Sequence, residues 1–161
     1  RDWGHAKDYI KAMYLILQQP APSDYVIATG ITTAIRDFIT MAAKEIGLTI
    51  EFKGEGVDEK GYITAVDASA FSEKVGEKYL SAIRERIANN PEVVNVDPQY
   101  FRPTEVDLLI GDPTKSQTVL GWKPEYDLKG LIEDMMRSDI KLFKRDAYLK
   151  EGGFKVMNYF E

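Results

Sequence analysis

The chain has 161 residues, 44% hydrophobic and 29% charged, which suits one domain with a hydrophobic core. A net charge of −5 without a basic stretch excludes a typical nucleic-acid-binding surface, and the absence of cysteine excludes disulfides and thiolate metal sites. No apolar run reaches the roughly 18 residues of a membrane span, and no signal-peptide pattern occurs, so we expect a cytoplasmic protein without a metal ion.

The first predicted element is a helix over residues 6–18. Its apolar residues recur at helical spacing and predict one core-facing stripe, formed by Tyr9, Ile10, Met13, Ile16 and Leu17. Tyr14 and Leu15 lie beside this stripe, so the helix is apolar on more than one face. His5 precedes the helix, and a packing or capping role is favoured over a role as a ligand.

A strand, a helix and a second strand are predicted next. The first strand covers residues 25–29 and is ended by Gly30. Thr32 or Thr33 caps the helix, which Gly47 ends. The alternating residues 48–52 predict a half-buried strand.

Three glycines after this strand superficially resemble a phosphate-binding loop. Glu59 stands where the third glycine of a dinucleotide fingerprint belongs, and Tyr62 follows Gly61 where a P-loop needs Lys. We therefore predict that Gly54, Gly56 and Gly61 form a flexible connector.

After these glycines, the sequence predicts three more helices and one more short strand. One helix runs from Ser72 to about Asn89, and a strand covers residues 93–96. Residues 108–110 are predicted to pack inward, and a short helix follows Asp112 and Pro113. Asp127 caps a long helix whose predicted core residues are Leu128, Leu131, Ile132, Met135, Leu142 and Phe143.

These elements predict a small mixed α/β lobe that packs against something larger. The strands are too few and too short for a complete doubly wound sheet. Residues 146–161 show no clear period. Because the chain begins with Arg1 rather than Met, it is interpreted as a piece of a longer protein, although a processed protein would look the same.

Residues 100–106 are the strongest candidate for a binding segment. Pro103 restricts its own backbone and that of Arg102, which predicts a rigid, non-helical loop. A guanidinium suits phosphate oxygens, and the carboxylate of Glu105 suits sugar hydroxyls. On composition alone, the favoured interpretation is that Arg102 and Glu105 pair with each other or face solvent.

Several ordered motifs together resemble the extended short-chain dehydrogenase/reductases that act on nucleotide sugars. Among these enzymes, the sequences of the motifs most resemble those of the members that dehydrate GDP-mannose. The motifs are Arg1-Asp2-Trp3-Gly4-His5, Val26-Ile27-Ala28-Thr29-Gly30, Tyr100-Phe101-Arg102-Pro103-Thr104-Glu105-Val106, Gly111-Asp112-Pro113-Thr114-Lys115 and Leu120-Gly121-Trp122-Lys123-Pro124.

The resemblance implies that residues 1–161 are a C-terminal, nucleotide-sugar-binding domain. The Rossmann domain that binds NADP would precede it, and residues 1–24 would pack against that domain. The family's Tyr-x-x-x-Lys pair and its glycine fingerprint do not occur in this chain. We therefore expect no catalytic or cofactor-binding residue here, and no activity from the chain alone.

The resemblance also implies a substrate and a site. The family's two arginines hold the diphosphate–ribose region and an acidic residue accepts from the ribose, which gives Arg1, Arg102 and Glu105 in this sequence. The whole enzyme would convert GDP-mannose to GDP-4-keto-6-deoxymannose with NADP, as a dimer or tetramer. Two alternatives are a sibling epimerase or reductase that uses another nucleotide sugar, and a non-catalytic binding module in which Arg102 is structural.

Overall fold

The computed structural model describes residues 1–102 and 109–156. These residues form a mixed α/β lobe with one three-stranded antiparallel sheet, which confirms the predicted fold class. Among them, no helix is long and apolar enough to cross a membrane.

Helix α1 covers Ala6–Leu17, close to its predicted bounds, but it presents a different face to the core. Ala12 is fully buried, and Tyr9, Leu15 and Ile16 pack around it. The prediction was therefore wrong for much of the apolar stripe. Four apolar side chains of α1 are exposed: Ile10, Met13, Tyr14 and Leu17.

The register of α1 is set by a buried polar contact. Asp8 is only 2% exposed, and its carboxylate accepts hydrogen bonds from the backbone N–H groups of Glu125 (3.0 Å) and Tyr126 (3.1 Å). The indole N–H of the fully buried Trp122 donates to the Asp8 carbonyl at 2.9 Å. A buried carboxylate must be hydrogen-bonded, and these donors lie on the core side of α1. Asp8 therefore faces inward, and Ile10, Met13 and Leu17 of the predicted stripe face outward.

The strand predicted over residues 25–29 is wrong for the described chain. The segment lies in no helix or strand and pairs with no strand within residues 1–102 and 109–156. Tyr25 and Ile27 pack instead against the core around Trp122, and Ala28 is buried. The apolar run is thus satisfied by side-chain packing rather than by a hydrogen-bonded ladder.

Helix α2 and the sheet follow. Helix α2 covers Ile35–Glu45 and its N-cap is Ala34, so the predicted cap at Thr32 or Thr33 is wrong. Gly47 ends the helix with a left-handed φ of 74°. Strands β1 and β2 form a hairpin, and β3 pairs with the other edge of β2. The strands are Leu48–Lys53, Lys60–Val66 and Glu92–Asn95, close to the prediction for β1 and β3.

The glycines after β1 build a tight turn rather than a flexible connector. Gly54 and Gly56 have positive φ angles of 85° and 60°, and residues Gly56–Asp58 form a single 3-10 turn. Gly61 lies inside β2, where an added Cβ would meet the side chains of Val94 at 3.0 Å and Phe52 at 3.1 Å. The prediction was therefore wrong for Gly61, which is a packing requirement of the sheet.

The helix predicted from Ser72 to Asn89 is two helices. Helix α3 covers Ala68–Lys74 and is capped by Asp67, which accepts from the N–H groups of residues 69 and 70. Helix α4 covers Leu80–Asn89. Gly76, at a φ of 124°, separates them because that conformation is not helical.

Helix α5 covers Thr114–Leu120, and Gly121 ends it with a φ of 66°. Helix α6 covers Leu128–Glu151 and is capped by Asp127 as predicted. It extends past residue 146, where the periodic pattern was predicted to end.

The core face of α6 is narrower than predicted. Leu131 and Ile132 are buried, but Met135 and Phe143 are 44% and 55% exposed. Of the residues 108–110 that were predicted to pack inward, Leu109 and Ile110 are exposed and residue 108 lies outside the described residues.

The Asp8 contact yields a stability prediction. Asp8→Ala leaves two backbone N–H groups without their acceptor, and each unsatisfied buried group costs about 1–3 kcal/mol. We expect a loss of roughly 2–6 kcal/mol in the free energy of unfolding, measured by urea denaturation. Asp127→Ala, which removes an exposed helix cap, is the control and should cost about 1 kcal/mol. Equal losses in the two variants would contradict a special role for Asp8.

Candidate functional site

The first motif pairs with the turn that precedes α2. The backbone nitrogen of Arg1 donates to the Thr33 carbonyl at 2.8 Å, and the Thr33 N–H donates to the Arg1 carbonyl at 2.9 Å. Asp2 and Thr32 form the neighbouring antiparallel bridge. The main chain of Arg1 is thus held on both sides of its Cα, while the residue itself is exposed.

Asp2 holds the same turn with its side chain. One carboxylate oxygen accepts from the Thr29 N–H at 3.1 Å and from the Thr29 hydroxyl at 2.6 Å. The other accepts from the Gly30 N–H at 3.0 Å. Sequence reasoning missed this role, although the Thr-Gly break after an extended run is a turn whose N–H groups need an acceptor.

Trp3 attaches the motif to α2. Its ring stacks on Phe38, with centroids 4.3 Å apart and an interplanar angle of 26°. Its indole N–H also points to the Thr33 carbonyl at 3.4 Å. The aromatic residue of the motif is therefore an anchor for the segment that carries Arg1.

Arg102 follows a turn organised by Asp97. The Asp97 carbonyl accepts from the N–H groups of Tyr100 (3.0 Å) and Phe101 (3.1 Å). The ring of Phe101 lies against the β1–β2 turn, 3.6 Å from where a Cβ on Gly56 would stand. Arg102 is exposed, and neither a hydrogen bond nor an ion pair joins it to another residue of the described ranges.

The second half of this motif lies outside the described residues. Glu105 lies outside the described residues, as does any pairing between Arg102 and Glu105. The proposed role of Glu105 therefore stays a prediction.

Described contacts link the two motifs through the β1–β2 turn. Arg36, in the first turn of α2, pairs with Glu59 at 2.7 Å and lies over the Phe52 ring at 5.7 Å. The start of α2 therefore lies against the hairpin turn, and Phe101 lies against the same turn. The segment that carries Arg1 is thus linked to the hairpin turn through Thr33 and the start of α2, and Phe101 lies against the same turn directly. The use of both side chains by one ligand stays a prediction.

Two concave regions differ in their relation to these motifs. A cavity of about 440 Å³ adjoins the first motif, between Trp3, Thr33 and residues 124–128. A mainly apolar groove of about 1100 Å³ lies between α3–α4 and α6. Neither Arg1 nor Arg102 is among the residues that line either of the two. Because a polar ligand needs convergent polar groups, the smaller cavity is the better neighbour for a nucleotide-sugar site.

His5 caps α1 and connects it to α6. Its Nδ1 accepts from the Lys7 N–H at 3.1 Å, so its Nε2 carries the proton and donates to the Asp134 carboxylate at 3.1 Å. The imidazole also stacks on Tyr126, with centroids 4.0 Å apart. The predicted packing or capping role of His5 is confirmed.

The pKa of Asp134 is lower than its ordinary value, mainly because His5 donates a hydrogen bond to its carboxylate. The charges of Lys7, at 3.5 Å, and Arg137 lower it further, while partial desolvation opposes them. The Lys7 ammonium donates to the Tyr126 hydroxyl at 3.4 Å, and this bond, followed by the Asp134 charge, raises the pKa of Lys7. The cluster fixes the end of the first motif on α6.

Comparison with known proteins identifies the family to which the chain belongs. The family model described as GDP-mannose 4,6 dehydratase matches residues 1–135. The chain belongs to the GDP-mannose 4,6-dehydratase family. All three predicted site residues lie within the matched range.

Relatives that carry the family's name match nearly the whole chain. GDP-mannose 4,6-dehydratase from Vibrio cholerae and its namesake from Yersinia enterocolitica are each 45% identical over 97% of this chain. GDP-mannose 4,6 dehydratase from Drosophila melanogaster is 43% identical over 91% of it. The chain spans only 38%, 38% and 31% of these relatives, so it corresponds to part of a family member.

The cluster around His5 predicts an acid-dependent loss of stability in this member of the GDP-mannose 4,6-dehydratase family. A carboxyl whose pKa is lowered by folding stabilises the fold above its unfolded pKa of about 3.9, and the stabilisation is lost as pH falls through the lower folded value. Asp134→Asn should therefore be less stable than the wild type at pH 7, and the difference should shrink only as pH falls below about 4 and through the lowered folded pKa of Asp134. Urea denaturation from pH 7 to pH 2 measures it.

Asp139→Asn is the matched control, because Asp139 is an exposed carboxylate on the same helix. It removes the same charge without the contacts of His5, Lys7 and Arg137. A stability difference for Asp134→Asn that is independent of pH would contradict the prediction.

Proposed function

We propose that the whole protein is a GDP-mannose 4,6-dehydratase and that this chain is its nucleotide-sugar-binding lobe. The observation that carries the proposal is 45% identity along 97% of the chain to proteins of that name. The ordered motifs support it further, because they run from Arg1 to Pro124 rather than occurring once. The substrate would be GDP-mannose, and the product the 4-keto-6-deoxy sugar nucleotide.

In this proposal, Arg1 and Arg102 hold the diphosphate, and Glu105 accepts hydrogen bonds from the ribose. Arg102 suits the role because it is exposed and the described residues do not engage its guanidinium. A guanidinium presents donors in a flat fork that matches two phosphate oxygens. The chain has a net charge of −5, so this grip would depend on local cations rather than on the overall field.

NADP does not fit the described residues. The only glycine cluster resembling a fingerprint in the described ranges is the β1–β2 turn, which leads into a strand and carries Glu55, Asp58 and Glu59. A dinucleotide site needs a helix N-terminus behind its glycines, and carboxylates repel the pyrophosphate. We therefore assign NADP to an N-terminal domain of the whole protein and derive no chemical step from this chain.

The same proposal gives residues 1–24 a partner within the whole protein. Helix α1 exposes Leu17, Ile10, Tyr14 and Met13 by 80%, 64%, 62% and 58%. Contiguous exposed apolar side chains are typical of a surface that another domain covers. We propose that the N-terminal domain covers it, and that the whole enzyme is a cytoplasmic homo-oligomer, which the family resemblance supports.

The role of Arg102 can be tested by Arg102→Lys in the full-length protein. A lysine ammonium keeps the charge but loses the second, parallel hydrogen bond. A charge-assisted bond is worth about 1.5–3 kcal/mol, so GDP affinity should fall roughly 10- to 150-fold. The diphosphate does not react, so KM for GDP-mannose should rise while kcat is largely kept. Calorimetric titration and steady-state kinetics measure these quantities.

Arg84→Lys is the control, because Arg84 is an exposed arginine on α4. GDP affinity of Arg102→Lys within about twofold of the wild type would show that Arg102 is not a phosphate ligand. Titration with UDP separates the sibling enzymes. Preference for UDP over GDP would contradict GDP-mannose as the substrate.

Leu17→Gln tests the covered face of α1. In the isolated chain the side chain is already exposed, so the free energy of unfolding should be nearly unchanged. In the full-length protein a buried leucine would be lost, at about 1.5–3 kcal/mol. Denaturant unfolding of both forms measures the contrast. Tyr148→Gln, at an exposed position on α6, should be neutral in both forms, and so would Leu17→Gln if the proposal is wrong.

A further inference from the structure

We propose that Asp2 is the positioning residue of the diphosphate site, which presents the side chain of Arg1 to the ligand by fixing the turn at residues 29–30. The inference rests on the proposed function, in which Arg1 is a diphosphate ligand. It assigns a role to a residue that does not itself touch the ligand.

Both oxygens of Asp2 are used by one turn. Three donors converge on the carboxylate, namely the N–H and hydroxyl of Thr29 and the N–H of Gly30, at 2.6–3.1 Å. Gly30 has a φ of 77°, a left-handed conformation that glycine adopts without strain at this turn. Hydrogen bonds to a carboxylate are about twice as strong as neutral ones, so this turn is held more firmly than backbone pairing alone would hold it.

The turn at residues 29–30 leads to Thr33, which holds the backbone of Arg1. Thr33 lies three residues after Gly30 and exchanges two backbone hydrogen bonds with Arg1, at 2.8 and 2.9 Å. The stacking of Trp3 on Phe38 fixes the chain on the far side of Asp2. Arg1 is therefore an exposed side chain on a restrained backbone.

Such restraint matters for binding because ordering a long side chain and its backbone costs free energy when the ligand arrives. A backbone that is already ordered removes the backbone part of this cost. Without the Asp2 carboxylate, the turn loses three hydrogen bonds and the restraint on Arg1 weakens. The effect of Asp2 on the ligand should thus act entirely through Arg1.

A double-mutant cycle in the full-length protein tests this, with GDP as the probe and calorimetry as the readout. Asp2→Ala should weaken GDP binding about tenfold, the effect of one lost charge-assisted hydrogen bond. Arg1→Ala should weaken it at least as much, and the double variant should be no weaker than Arg1→Ala alone. For GDP-mannose turnover, Asp2→Ala should raise KM and largely keep kcat.

Asp67→Ala is the matched control. Asp67 accepts two backbone N–H bonds in the same way, but it caps α3 at the end of the sheet away from the hairpin turn. It should lower the melting temperature without changing GDP affinity. Asp2→Asn keeps an acceptor for Thr29 but places an amide N–H against the Gly30 N–H. It should fall between the wild type and Asp2→Ala, and it replaces Asp2→Ala in the cycle if that variant does not fold.

The outcomes distinguish a failure of the proposed role of Asp2 from a failure of the proposed function. If the wild type binds no GDP, the proposed function is wrong and the inference falls with it. If Arg1→Ala weakens binding but Asp2→Ala stays within twofold, the function stands and the role of Asp2 is wrong. Additive losses in the double variant would also overturn it, because Asp2 would then act independently of Arg1.

Discussion

The buried carboxylate of Asp8 is the constraint on which the arrangement of this lobe depends. It has no cationic partner among its hydrogen-bonding groups, which are two backbone N–H groups of the turn between α5 and α6. A charge removed from water must be compensated by such donors, so α1 has one acceptable rotation and one acceptable distance from that turn. Trp122 completes the contact from the opposite direction, because its indole donates to the carbonyl of the same residue. The first and last thirds of the chain are joined there.

The rotation of α1 connects the packing of the lobe to its role in a larger protein. A helix with apolar residues on more than one face cannot bury all of them against one partner. The polar contact at Asp8 decides which apolar residues stay inside, and Tyr9, Leu15 and Ile16 accompany Ala12. The residues left outside form a continuous strip rather than scattered positions, which suits a second large surface. The segment at residues 25–28, exposed at Val26, borders the same core.

Much of the element order could be predicted from the sequence, whereas the orientation of several elements could not. Helical spacing gave the bounds of α1 to within a residue, and Gly47 and Asp127 act as the stop and the cap that their types predict. Periodicity failed where a polar residue, Asp8, belonged to the core. It also failed at Gly76, because a single glycine can either be tolerated in a helix or end it. The motif at Arg1 and Arg102 was recognisable from its residues, but the hydrogen bonds of Asp2 depend on a turn 27 residues away and need the fold to be seen.

The two tryptophans of the chain occupy two separate environments. Trp122 is sealed in the core beside Ala12, while Trp3 is only partly buried, stacked on Phe38 and next to the cavity of the first motif. Their fluorescence would therefore report different events. The emission of Trp122 would follow unfolding of the core, and that of Trp3 would follow changes around Arg1 and the turn that carries it. The chain thus contains two built-in optical probes, one for the stability of the lobe and one for the occupancy of its candidate site.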